Sequence, residues 1–148
     1  MYQHILIATD GSELGTKALE HGLALAKLVG ARVTIVTVTA PWSNFDMAQA
    51  AREHRPDPVG QFEAIAAASA RHILDNASQK AEAVGLSCDL VHVRDRHPAE
   101  GIISTANEKQ CDLIVMGSRG LRGMSRILLG SQTYEVLTQC RVPALVVH

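Results

Sequence analysis

Aromatic side chains are scarce in this chain of 148 residues: they make up 3% of it, although 47% of its residues are hydrophobic. The core must therefore be built from aliphatic side chains. Proteins that bind single-stranded nucleic acids stack bases on aromatic side chains, and few are present here. Charge is also balanced, since 14 lysines and arginines stand against 15 aspartates and glutamates. The composition thus gives no reason to expect a nucleic-acid partner.

Cysteines and long apolar runs are equally few. The three cysteines, Cys88, Cys111 and Cys140, form no CxxC pair, and no HExxH spacing occurs. This pattern disfavours a zinc site and fits buried free thiols in a reducing compartment. No stretch approaches the roughly 20 apolar residues of a membrane helix, and the apolar run at residues 5–8 is too short for a signal peptide. We therefore expect a cytoplasmic protein without a membrane partner.

What the chain does contain is a regular alternation of short β-rich runs with longer helical patterns. Strands are predicted over residues 4–8, 32–38, 89–93, 112–116 and 144–147. Helices are predicted between them, over residues 13–29 and 61–84, from Pro98 onward, and over residues 131–139. Mostly apolar runs of this kind are typical of strands buried on both faces of a parallel sheet. The alternation predicts one α/β domain over residues 1–148, with an open parallel sheet and helices on both faces.

Some details of this prediction concern packing. The helix over residues 61–84 is expected to turn Ile65 and Ser69 inward, among other side chains, and the last helix to turn Leu137 inward. Residues 40–60 break the rhythm, and a connection of this length is either a mobile lid or partly helical. Trp42 and Phe45, which lie in it, are expected to pack onto the domain rather than close over a ligand.

The most informative segment joins the fourth strand to the last helix. It carries Gly117, Gly120 and Gly123, then Gly130 followed by Ser131, with arginines at positions 119, 122 and 126. Glycine allows positive φ angles and close backbone approach, and successive free N–H groups can hold an anion. The segment predicts a phosphate-binding loop, with a purely structural glycine turn as the alternative. It contains neither GxxxxGK[ST] nor the dinucleotide fingerprint.

An acidic loop, residues 9–12, follows the first strand. In open parallel sheets, ligands bind beyond the carboxyl ends of the strands, where the strand order reverses. If the first and fourth strands are neighbours, Asp10 and Gly117 face each other across one crevice. Asp10 then either accepts hydrogen bonds from ribose hydroxyls or holds a cation beside phosphates. The alternative is that Asp10 and Ser12 simply cap the first helix and shape its turn.

Taken together, these residues resemble the universal stress protein family. The ATP-binding members of that family carry G-x2-G-x9-G-[ST], and Gly117, Gly120, Gly130 and Ser131 meet this spacing in full. Residues 5–12 resemble the family's first strand and acidic loop. Residues 112–117 resemble its fourth strand, and residues 143–147 its last. The resemblance covers nearly the whole chain, and the combination is far more specific than any one motif.

The resemblance implies a Rossmann-like sheet of the adenine nucleotide alpha hydrolase type, with strand order 3-2-1-4-5. It also implies ATP, or ADP or AMP, as the ligand, with or without Mg²⁺. The residues that would line the nucleotide are Ala8, Thr9, Asp10 and Val38 at the adenosine, Met116 and Gly117 beside the ribose, and Arg119, Gly120, Gly130, Ser131 and Thr133 around the phosphates.

Two positions depart from the family pattern. Gln132, which we count with the phosphate residues, stands where a small apolar residue is common, and this leaves open how the phosphates pack. His97 takes a place often held by glycine, and we expect no effect of it on binding.

The function expected from these features is nucleotide binding in a stress or signalling protein, whose occupancy alters a partner or the dimer. A hydrolase needs a base and a placed water, and Asp10, the one acidic candidate, is assigned to the ribose by the resemblance. A slow ATPase is one alternative, and an interaction module that binds no nucleotide is another. Residues 144–147, as an edge strand, predict pairing with a second copy in a symmetric homodimer.

Overall fold

The structure is a computed structural model that describes residues 1–120 and 130–148. Strands and helices alternate along the chain, as the sequence predicts. In chain order the elements are β1 (His4–Ala8), α1 (Glu13–Val29), β2 (Arg32–Val38), α2 (Asn44–Arg52), α3 (Pro58–Ala83), β3 (Cys88–Val93), α4 (Pro98–Glu108), β4 (Leu113–Gly117), α5 (Ser131–Gln139) and β5 (Ala144–Val147).

The five strands form one parallel sheet in the order β3-β2-β1-β4-β5, so the predicted fold class is confirmed. The central strand β1 is buried along its whole length, and its Ile5 lies opposite Val33 of β2 and Leu113 of β4. One aliphatic cluster joins the sheet to α1 and α3, and a second joins its other face to α4 and α5. The chain therefore leaves β1 toward one face and β4 toward the other, which opens a crevice between their carboxyl ends.

Helix α1 begins and ends where its sequence signals lie. The Ser12 hydroxyl accepts a hydrogen bond from the Gly15 amide at 3.1 Å, which satisfies one of the free N–H groups of the first turn. At the other end Gly30 adopts φ 71°, a left-handed conformation that glycine enters without a steric penalty. The position of the Ser12 cap fixes the length of the loop between β1 and α1.

The long connection is partly helical, which was one of the two alternatives. Helix α2 starts with a capping box between Ser43 and Asp46. Trp42 stacks on Phe62 of α3 with ring centroids 5.6 Å apart, so its predicted packing onto the domain is confirmed. The prediction for Phe45 is wrong, because its side chain is 74% exposed.

The predicted inward face of α3 is confirmed only in part, because Ala77 is buried as predicted but two other predicted side chains are not. Ile65 is 70% exposed and Ser69 is exposed. The side chains that α3 buries are Ala70, Leu74, Ala77 and Ala81. A hydrophobic pattern gives isoleucine more weight than alanine. Small side chains, however, let a helix pack close to a sheet, and in α3 most of the buried side chains are alanines.

One helix boundary and the exposure of one side chain also differ from the prediction. Helix α3 begins at Pro58 rather than residue 61, because Asp57 caps it by accepting the Gly60 amide at 3.3 Å. Leu137 is 42% exposed rather than buried. Within residues 1–120 and 130–148, none of the helices has the length and hydropathy needed to span a bilayer.

Candidate functional site

The ends of β1 and β4 bring the acidic loop and the glycine segment together, as the sequence predicts. The Thr9 amide donates to the Val36 carbonyl at 3.0 Å, and the Ser118 amide donates to the Val147 carbonyl at 2.8 Å. Both loops thus leave the sheet at its carboxyl edge. A Cβ on Gly120 would lie 2.8 Å from Oδ2 of Asp10, so the two loops are in direct contact.

The two carboxylate oxygens of Asp10 have different surroundings. Oδ1 accepts the Ser12 amide at 3.0 Å and thereby shapes the turn that leads into α1. Oδ2 is the oxygen nearest to Gly120 of the glycine segment. Asp10 therefore shapes the turn before α1 with one carboxylate oxygen and lies against the glycine segment with the other.

Gly117 and Gly120 allow close packing rather than a positive φ, since neither has a left-handed backbone. A Cβ on Gly117 would lie 3.2 Å from Cβ of Leu14 and 3.3 Å from the Arg119 carbonyl oxygen. At Gly120 a Cβ would collide with Asp10. Both glycines thus let the segment after β4 lie tightly against the start of α1 and the acidic loop.

Gly130 closes the segment from its other side. Its amide donates to the Ser118 carbonyl at 2.8 Å, and a Cβ on it would lie 3.2 Å from Cα of Arg119. The turn over residues 117–120 and the start of α5 are consequently held side by side. Arg122, Gly123 and Arg126 lie outside the described residues.

The N-terminus of α5 faces this turn without a side-chain cap, because its N-cap residue is Gly130. In any α-helix the first amides have no intrahelical acceptor, so those of Ser131, Gln132 and Thr133 are donors available at this end. The helix dipole adds partial positive charge there. Ser131 is exposed and carries a hydroxyl at the same point. This arrangement can hold an anion such as a phosphate.

We call the turn at residues 117–120 together with the first turn of α5 the anion cradle. The side chains of Gln132 and Thr133, which follow Ser131, each bond a backbone group of the protein. Thr133 is 2% exposed and donates its hydroxyl to the Gly117 carbonyl at 3.1 Å. Oε1 of Gln132 accepts the amide of Ala99, the second residue of α4, at 3.0 Å. Thr133 thus ties α5 to the end of β4 and Gln132 ties it to α4, while the backbone amides of both residues belong to the cradle.

The predicted adenosine residues line the same edge of the sheet. Ala8 is 9% exposed and Met116 5% exposed, and both belong to the cluster under α4 and α5. Val38 is half-buried at the end of β2. Thr9 accepts the Gly11 amide on its hydroxyl at 3.3 Å. Ala8 and Met116 are thus core residues near the carboxyl ends of β1 and β4.

Gly15 packs directly on the acidic loop of the candidate site, a contact that the sequence prediction missed. A Cβ there would lie 2.7 Å from Oδ1 of Asp10 and 2.9 Å from the Thr9 hydroxyl oxygen. Glycine is destabilising inside a helix, so its presence in the first turn of α1 was the available signal. The residue leaves room for the acidic loop to fold back on α1.

Two of the cavities in the described part of the chain are lined in part by α3. One, of about 510 Å³, is lined by residues of α2 and of the start of α3 and shares no residue with the predicted site. The other, of about 400 Å³, lies between α1 and α3 and reaches Thr9 and Gly11. The described residues contain no group of three or more histidine, cysteine or acidic side chains arranged to hold a metal ion.

The sheet order and the placement of the helices define an α/β protein with the adenine nucleotide alpha hydrolase-like fold. The model of the universal stress protein family matches residues 1–148, and the chain belongs to that family. It is 31% identical over 152 residues to the universal stress protein YxiE of Bacillus subtilis, with 100% of both chains covered.

Solved structures agree with this assignment. The chain matches the structure of MJ0577, a universal stress protein of Methanocaldococcus jannaschii, with a TM-score of 0.79 and 28% identity. The match covers 99% of this chain and 96% of that one. A universal stress protein solved in complex with cAMP matches with a TM-score of 0.73 and 27% identity, covering 99% of this chain and 97% of the other.

Proposed function

We propose that this protein binds an adenine nucleotide, with ATP as the principal ligand, at the cradle beside Asp10. One observation carries the proposal: the turn at residues 117–120 and the N-terminus of α5 lie side by side, joined by the Gly130–Ser118 hydrogen bond. The first-turn amides of α5, which have no intrahelical acceptor, thereby lie beside the glycine turn, and such an N-terminus suits phosphate binding. The complex of a related universal stress protein with cAMP supports an adenine nucleotide over other phosphate ligands.

In this proposal the phosphates accept hydrogen bonds from the first-turn amides and hydroxyl of Ser131, with Arg119 beside them. The ribose lies at Asp10, and the adenine extends toward Val38 at the end of β2. ADP and AMP would occupy the same site with fewer contacts, and Mg²⁺ would enter with ATP. Nucleotide occupancy would then alter a partner or the dimer in a cytoplasmic stress response.

Calorimetric titration of nucleotide-stripped protein with ATP, ADP and AMP tests this proposal. Replacing Ser131→Ala removes one hydrogen bond to a charged phosphate, and we expect ATP affinity to fall about tenfold. Ser69→Ala, at an exposed helical serine of α3, is the matched control and should bind as the wild type does. If the wild type released no heat at millimolar ATP, the proposal would be contradicted. The remaining hypothesis would then be an interaction module that binds no nucleotide.

Slow ATP hydrolysis is a second candidate, because the Asp10 carboxylate lies against the glycine turn. A fast ATPase is not proposed, since Oδ1 of Asp10 is engaged in the turn at Ser12 and hydrolysis needs a base with a placed water. Turnover with Mg²⁺ that disappears in Asp10→Ala, while ATP still binds, would favour the hydrolase.

We also propose that residues 1–148 act as one domain that forms a homodimer through β5. This strand lies at the edge of the sheet, with β4 on one side, and Leu145 on it is 40% exposed. An edge strand presents unpaired N–H and C=O groups, which a second copy would satisfy across a two-fold axis.

A further inference from the structure

Gln132 joins two helices that start at the same edge of the sheet. Its backbone belongs to the first turn of α5, and its Oε1 accepts the Ala99 amide of α4 at 3.0 Å. The two residues are 33 positions apart in the chain. A small apolar side chain at this position could not accept that hydrogen bond.

Helix α4 has no side-chain cap from its own N-cap residue. Among the described residues, His97 makes no capping hydrogen bond, although its backbone is extended as an N-cap requires. Ala99 is 0% exposed, so its amide would lie near the protein interior without an acceptor if Gln132 were absent. Gln132 therefore caps α4 from the neighbouring helix.

The first turn of α4 also touches the other end of the candidate site. A Cβ on Gly101 would lie 2.7 Å from Cγ2 of Val38, so this turn packs directly on the end of β2. The same turn thus contacts Val38, which we assign to the adenine, and Gln132, whose amide belongs to the cradle. The Gln132–Ala99 hydrogen bond is thus a direct link between the cradle and the start of α4, in addition to the apolar packing of α4 and α5 in one cluster.

We propose that Gln132 is a positioning residue that couples nucleotide occupancy to the start of α4. The proposal rests on the proposed function, because the phosphates are what would order the first turn of α5. Phosphates held by that turn fix the Gln132 backbone, which strengthens the bond from its side chain to Ala99. Because such coupling is reciprocal, loss of the bond weakens nucleotide binding.

The experiment compares four proteins: the wild type, Gln132→Leu, His97→Ser and the double variant. Leucine is close in size but cannot accept the Ala99 amide, and serine at position 97 gives α4 a cap of its own. We expect Gln132→Leu to lower the melting temperature and to weaken ATP binding about fivefold, the effect of one neutral hydrogen bond. The double variant should regain the melting temperature but not the affinity. His97→Ser alone should bind ATP as the wild type does.

Amide hydrogen exchange of Ala99 supplies a readout that a purely structural cap would not move. In the wild type ATP should slow exchange at Ala99, and in the double variant it should not. Full recovery of ATP affinity in the double variant, or an Ala99 exchange rate that ATP leaves unchanged in the wild type, would overturn the coupling while nucleotide binding stands. A wild type that binds no ATP would overturn the proposed function and the coupling together.

Discussion

His4 is a titratable side chain buried in the central strand, at the edge of the sheet opposite the candidate site. It is 4% exposed, and its Nε2 lies 2.8 Å from the hydroxyl oxygen of Thr34, which is 0% exposed. Burial, with Arg32 nearby, lowers the pKa of His4 below its ordinary value of 6.5, while the Lys109 backbone and the carboxylates of Asp89 and Asp112 oppose the shift. Folding therefore favours the neutral form of this ring.

This shift predicts a loss of stability in mild acid. As the pH falls below about 6.5, the unfolded chain takes up a proton at His4 before the folded chain does, so the free energy of unfolding decreases. The double variant His4→Leu with Thr34→Val replaces both partners of the buried hydrogen bond, so neither is left unpaired. Its free energy of unfolding should fall less between pH 7 and pH 5 than that of the wild type. Chemical denaturation at pH 7 and pH 5 measures it.

The free energy of unfolding should still depend on pH in both proteins, because burial and Arg94 also lower the pKa of His92. The account of His4 fails if the wild type and the double variant lose the same stability between the two pH values. Asp112 does not contribute to the pH dependence between pH 5 and pH 7. Although its partial burial favours the protonated form, the amides of Gln3 and His4 bring its pKa below 3.8.

Among single residues, the glycines of the candidate site show which features could be predicted from the sequence and which could not. The spacing of Gly117, Gly120 and Gly130 was enough to locate the loop. Their contacts with Leu14, Asp10 and Arg119 could not be predicted, since these depend on which distant atoms the fold brings within 4 Å. The hydrogen bond of Gln132 to α4 was likewise invisible, because it joins two separate helices.

At the scale of elements, the strands followed the sequence closely because apolar, β-branched runs leave few alternatives. β1, β2 and β5 have the predicted bounds, β3 begins one residue earlier, at Cys88, and β4 lies one residue later, over Leu113–Gly117. Helix faces were less predictable. In α3 the alanines and not Ile65 face the sheet, a choice that depends on how closely the helix packs.

The edge strand β5 gives a prediction at this scale. If β5 pairs with its copy, the wild type should sediment as a dimer at micromolar concentration. Leu145→Lys places a charge on the edge, which natural sheets use to prevent pairing, and should give a monomer. Leu28→Lys, at an 84% exposed leucine of α1, is the control and should remain a dimer. A wild-type monomer, or a Leu145→Lys dimer, would contradict pairing through β5.

At the scale of the whole molecule, the site is a consequence of strand order. The acidic loop after β1 and the glycine segment after β4 lie about a hundred residues apart in the chain, and they meet because β1 and β4 are neighbours. The alternation of elements predicts a parallel sheet but not this order, which came from the resemblance to a family. Helices that leave to opposite faces then open the crevice between the two loops.

Titration of ¹⁵N-labelled, nucleotide-stripped protein with ATP tests the central claim most directly, because each backbone amide of the cradle is observed separately. We predict the largest changes in chemical shift at residues 9–11, 117–120 and 131–133, with further changes at Ala99. In Gly130→Val, whose side chain would press on Arg119, these changes should be lost while the rest of the spectrum is kept. Changes confined to the residues around the cavity between α2 and α3, or no changes at all, would contradict a nucleotide site at this cradle.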